Sequence, residues 1–107
     1  MKNIAFLMDR NGQWSLSPAY DVTYSYNASG AWTSRHQMSV NGKREKFELD
    51  DLIAFGKSAG VKPGKAKQII ESICSTVSQW LEIADECGVE ENMAKKIALT
   101  HRTAFIK

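Results

Sequence analysis

Cysteine and proline are scarce in this sequence, neither charge sign dominates, and long apolar runs are missing. The two cysteines, Cys74 and Cys87, stand thirteen positions apart on what reads as one helix. At about 1.5 Å of rise per residue, roughly 20 Å separates them, too far for a disulfide. Neither has a second Cys or a His at zinc-site spacing, so both read as small thiols in a reducing compartment, which points to the cytoplasm. With 14 Lys and Arg against 12 Asp and Glu, the net charge of +2 is too small to imply a nucleic-acid partner. No stretch approaches the roughly 18 apolar residues of a membrane span, and the start lacks the basic-then-apolar pattern of a signal peptide. A membrane-spanning protein is thereby excluded, and export is not expected. There is also no phosphate-binding loop, no G-x-G-x-x-G and no His pair at i, i+4.

What is present suffices for one core: 43% of the 107 residues are hydrophobic, so residues 1–107 are expected to form a single domain. Its first part, residues 1–47, reads as hairpins and a loop. Runs at 3–9 and 13–17 flank Asn11-Gly12, and Asn-Gly between apolar runs is a strong hairpin signal. In the first run both alternating faces are apolar, Ile4, Phe6 and Met8 on one and Ala5 and Leu7 on the other, so this strand calls for cover on both sides. Pro18 cannot donate to a ladder and should end the second strand. Residues 23–34 are rich in small polar and aromatic residues without a period and read as an irregular loop. A second Asn-Gly, Asn41-Gly42, suggests another hairpin between 35–40 and 43–47.

From Leu49 the period changes from two to 3.6, and residues 48–107 read as three helices. The first spans 49–59, with Asp50 and Asp51 in its first turn and Gly60 just past its end. The second opens at Pro63 and runs to Gly88 on the stripe Ala66, Ile69, Ile70, Ile73, Val77, Trp80, Leu81 and Ala84. The third runs from about Glu90 to Phe105 and turns Met93, Ile97, Ala98, His101, Ala104 and Phe105 inward. The fold class is therefore α+β: mainly α, with N-terminal β-hairpins.

No nucleophile and base are brought together by spacing, and His36 and His101 both read as structural histidines. The first hairpin does place two oxygen-bearing side chains together. With Asn11 and Gly12 as the turn, paired positions sum to 23, so Asn3 lies opposite Tyr20 and beside Asp21. An Asn carbonyl and an Asp carboxylate suit magnesium, which takes one or two protein groups and completes its shell with phosphate and water. An Asn closing a loop and an Asp capping a turn is the alternative account of the same pair.

Lys2-Asn3-Ile4-Ala5-Phe6, Leu16-Ser17-Pro18-Ala19-Tyr20-Asp21-Val22, His36-Gln37-Met38-Ser39-Val40-Asn41-Gly42-Lys43 and Leu49-Asp50-Asp51-Leu52 closely resemble, in order and spacing, the C-terminal region of HipA-family serine/threonine kinases. The resemblance covers essentially the whole chain. It implies the C-terminal helical part of a HipA-like, protein-kinase-like fold and the toxin of a toxin-antitoxin pair, phosphorylating a protein hydroxyl with ATP and magnesium. It assigns metal ligation to Asn3, in the catalytic loop, and to Asp21, in the role of the kinase DFG aspartate. The catalytic Asp and the N-terminal lobe would lie upstream of Met1, so the resemblance assigns no catalytic residue to this chain. A fragment inactive alone, binding no cofactor by itself, is expected. The implied partners are a protein substrate and an antitoxin.

A different class of function is a non-catalytic interaction module that binds an antitoxin, a separate N-terminal lobe or itself through the strand at Ile4 to Met8 and the aromatics from Tyr20 to Trp32. Direct nucleic-acid binding by Lys95, Lys96, Arg102 and Lys107 is not expected, because Glu90 and Glu91 share their helix and no aromatics interleave.

Overall fold

In the computed structural model, which describes residues 3–105, the chain opens with a hairpin shaped by its turn. Strand β1 (Phe6–Met8) pairs antiparallel with β2 (Trp14–Leu16), Phe6 opposite Leu16 and Met8 opposite Trp14. Paired positions therefore sum to 22, not to the 23 that a two-residue turn requires. The loop is one residue longer than expected: Asp9 N–H donates to Gln13 O at 3.0 Å, and Gly12 N–H donates to Asp9 O at 3.1 Å. The Asp9 carboxylate drives this choice by accepting from the N–H groups of Asn11 and Gln13 at 2.8 and 2.9 Å. Gly12, at φ 77°, supplies the left-handed residue that closes a three-residue hairpin loop. Ser17 N–H to Ala5 O continues the register at 2.9 Å, and Pro18 ends the ladder as its missing N–H dictates.

Residues up to Met38 form one compact unit, and those from Ser39 form another. In the first, both faces of the hairpin are exposed, Phe6 at 62% on one and Leu7 at 53% on the other. The remainder, from Pro18, is irregular, as expected to Ser34 and in place of the strand expected from Arg35, and is held by local bonds: the Asn27 side chain accepts from Ser29, and Gln37 donates to the Trp32 carbonyl at 2.8 Å.

The second unit begins with a tight turn where a second hairpin was expected. Only Val40 and Lys43 pair, around Asn41 and Gly42 at φ 51° and 79°. Strands do not extend from it because Asn41 and Lys43 are drawn to the start of helix α1 (Leu49–Ser58), where both bind Asp51.

Helix α1 stops where expected. Val61 N–H to Gly56 O at 2.9 Å and Gly60 N–H to Lys57 O at 3.0 Å form a Schellman closure. Pro63 starts helix α2 at its first position. The long helix expected from Pro63 to Gly88 is in fact two, α2 (Pro63–Ser78) and α3 (Trp80–Glu86), with Gln79 between them. No proline or glycine makes this break. The hydroxyls of Thr76 and Ser78 bond back to the Ser72 and Ser75 carbonyls at 3.0 and 2.7 Å, competing with the helix ladder in its last turn. Cys74 thus lies within α2 and Cys87 just past α3, and both thiols are free.

The last helix, α4 (Glu91–Ala98), is shorter than the 90–105 expected, because the Thr100 and His101 N–H groups turn back three residues to Ile97 and Ala98. Four helices form among the described residues, and they pack in pairs, α1 on α2 and α3 on α4. The contacts are close and made by small residues: Ala66, Ala84, Ala94 and Ile97 are the buried apolar residues among those described. Gly56 shows how close. A methyl there would stand 3.2 Å from the Ala66 methyl. Ile69, Ile73, Leu81 and Met93, expected inside, are exposed at 42%, 57%, 50% and 47%.

Candidate functional site

Asn3 and Asp21 meet. The Asn3 side-chain nitrogen donates to Asp21 Oδ2 at 3.0 Å and lies 3.4 Å from the Asp21 carbonyl oxygen. By extrapolation, a register summing to 22 would set Asn3 opposite Ala19 and not Tyr20. The pair forms because both residues leave the ladder: each takes a left-handed backbone, φ 63° at Asn3 and 53° at Asp21. Asn and Asp tolerate that conformation better than other side-chain-bearing residues. Both are exposed and lie beside the irregular Pro18 to Tyr20 segment.

The pair is small as a metal centre. Among the described residues no group of three or more His, Cys, Asp or Glu could hold an ion. Asn3 and Asp21 together offer a neutral and an anionic oxygen, and one oxygen on each stays clear of the bond between them. That donor set fits a hard cation whose remaining positions are filled by phosphate and water, as magnesium prefers, and does not fit zinc.

A second cluster was not anticipated as such. Asp51, read from sequence only as a first-turn carboxylate, is 4% exposed. Its Oδ1 accepts from the Asn41 amide at 2.9 Å, and its Oδ2 accepts from Lys43 Nζ at 2.7 Å and from the Glu48 N–H at 2.8 Å. The Lys43 ammonium, then the Asn41 amide and the Glu48 backbone, lower its pKa from the ordinary 3.8 to about 2. Lys43, also 2.9 Å from Glu48, is shifted upward, chiefly by Asp51 and then by Glu48. The signal was available: Glu48-x-x-Asp51 ahead of an apolar run is an N-terminal capping pattern. The cluster satisfies its own charges and ties Asn41-Gly42-Lys43 to α1.

His101 packs its ring against Trp80, centroids 5.8 Å apart at 76°. The Trp80 indole N–H donates to the Ala94 carbonyl at 2.9 Å. On α4, Lys95 pairs with Glu91 one turn earlier. Lys107 lies outside the described residues. No helix among the described residues is long and apolar enough to cross a membrane.

A model of the HipA-like C-terminal domain matches residues 1–104 of the chain. No curated protein and no solved structure matches it.

Proposed function

Since this chain belongs to the HipA-like C-terminal domain family, we propose that it is the C-terminal, magnesium-holding part of an ATP-dependent serine/threonine protein kinase, the toxin of a toxin-antitoxin pair. The observation that carries this reading is the meeting of Asn3 and Asp21 at 3.0 Å on left-handed backbones. Unusual backbone held at two adjacent polar groups is where functional sites store strain. Magnesium bound there would neutralise charge on the phosphates of ATP during transfer to a protein hydroxyl. Asn3 and Asp21 would hold the ion, Asn3 without adding charge and Asp21 adding one negative charge. No residue of the chain is assigned as the base, so the 107-residue polypeptide is inactive by itself. It works in the cytoplasm, on a protein substrate, under the control of an antitoxin.

The test joins this chain to a HipA-type N-terminal lobe that supplies the base and the nucleotide cradle. Phosphate incorporation into protein is then measured with and without Asp21→Ala. Activity that depends on Asp21 supports the reading, and activity indifferent to it sinks the metal assignment. Incorporation by the 107-residue chain alone, lost with Asp21→Ala, would show that it is a kinase without the lobe.

A second reading, a non-catalytic interaction module, has support from the hairpin. Phe6, Met8, Trp14 and Leu16 are all more than half exposed, at 62%, 58%, 67% and 65%. Exposed apolar surface of this kind favours association with an antitoxin, a separate lobe or a second copy. Light scattering that shows a monomer at high concentration counts against self-association.

A further inference from the structure

Helices α1 and α2 and the segment after α4 enclose a half-open cavity of about 230 Å³. Its wall is apolar, built from Leu52 on α1, Ile70, Ile73 and Val77 on α2, and Phe105. An apolar cavity of about 150 Å³ accepts benzene, so at that ratio this one accommodates about nine carbons. Consecutive residues of the segment after α4, His101, Arg102 and Thr103, also line it. Among the described residues lining the cavity, Arg102 is the one permanently charged side chain and none is a carboxylate.

Arg102 is also unpaired. Lys43, Lys67 and Lys95 each face a carboxylate in this unit, whereas Arg102 has no hydrogen bond or ion pair with any described residue. A guanidinium presents a planar fork of donors matched to a carboxylate. An apolar cavity with one unpaired arginine in its lining is complementary to a molecule with an apolar tail and a single anionic head.

We propose that this cavity binds a medium-chain carboxylate, with the tail against Ile70, Ile73 and Val77 and the carboxylate on Arg102. Neighbouring His101 is held by its contact with Trp80, which anchors the segment carrying Arg102.

Cys74 reports on occupancy. It lines the cavity and is half-buried, whereas Cys87 is exposed and does not line it. Decanoate, kept below its micelle-forming concentration, is expected to slow alkylation of Cys74 in the full chain while leaving Cys87 unchanged. Arg102→Gln should raise the decanoate concentration needed by about tenfold, the scale of one charge-assisted contact. Ile73→Glu places a carboxylate on a half-exposed position of the wall and should abolish protection while the helical circular dichroism persists. Equal protection of Cys74 and Cys87, or none of Cys74, overturns the proposal. Decanol protecting as well as decanoate, with no effect of Arg102→Gln, overturns the role of Arg102.

Discussion

The Asn3 side chain stands 3.0 Å from the Asp21 carboxylate across eighteen residues of sequence, and each residue sits in a left-handed backbone. The bond is exposed, so it adds little to folding. Asn3→Ala is expected to change stability by less than about 1 kcal/mol, the ordinary net worth of one hydrogen bond. In a kinase assembled from this chain and an N-terminal lobe, the same change and Asp21→Ala should each reduce phosphate transfer on the order of a hundredfold or more, the scale of losing one preorganised electrostatic contact. Urea unfolding beside a labelled-phosphate assay separates the two effects. A large stability loss with activity intact would make the pair structural.

Asp51 should behave in the opposite way. It accepts from Asn41, Lys43 and Glu48 while almost fully buried, so Asp51→Ala takes the acceptor from the Asn41 amide and the Glu48 N–H and leaves Lys43 with Glu48 alone. Its neighbour Asp50 is exposed. In urea unfolding, Asp51→Ala is expected to lower the midpoint clearly and Asp50→Ala hardly at all. Lys43→Met should fall between them, since Asn41 and Glu48 would still satisfy the carboxylate. Equal midpoints for the two aspartate variants would remove the cluster's structural role.

Much of this was legible from spacing because local rules held locally. Gly60, Pro63 and Gly88 mark helix ends through backbone chemistry that no distant residue alters. The failures arose where a side chain competed with the period. Asp9 lengthened the first loop by one residue, Thr76 and Ser78 interrupted an uninterrupted apolar stripe, and Asp51 pulled Asn41-Gly42-Lys43 out of a hairpin. The meeting of Asn3 and Asp21 was expected from a register that was wrong by one. Asn3 and Asp21 meet through positive φ, which alternation of apolar residues cannot encode.

Trp80 joins α3 to α4 and to the segment beyond it. Its indole N–H bonds the Ala94 carbonyl at 2.9 Å, and its ring meets the edge of His101. Trp80→Phe keeps an aromatic ring but deletes the donor, so a loss of about 1 kcal/mol is expected. Chemical denaturation followed by circular dichroism measures it. A change near zero would mean that the indole bond contributes nothing beyond ring packing.

Acid should unfold the helical unit through a small, identifiable set of carboxylates. The folded pKa of Asp51 is lowered to about 2, first by Lys43 and then by Asn41 and Glu48. Glu90 is lowered too, by the N–H groups of Asn92 and Met93 that it caps. A carboxyl whose folded pKa lies below its unfolded one stabilises the fold fully at pH above the unfolded value. That contribution falls away as pH drops from the ordinary 3.8 toward about 2 for Asp51. The upward shift of Lys43 belongs to the same pair and would be lost only at strongly alkaline pH. Urea midpoints should therefore hold steady near neutrality and decline between about pH 4 and pH 2. Asp51→Asn should start lower and decline less over that range, since no charge remains at the position to be neutralised, while Asp50→Asn should follow the parent. A parent and an Asp51→Asn variant with parallel acid profiles would place the sensitivity elsewhere, with Glu90→Gln the next variant to separate.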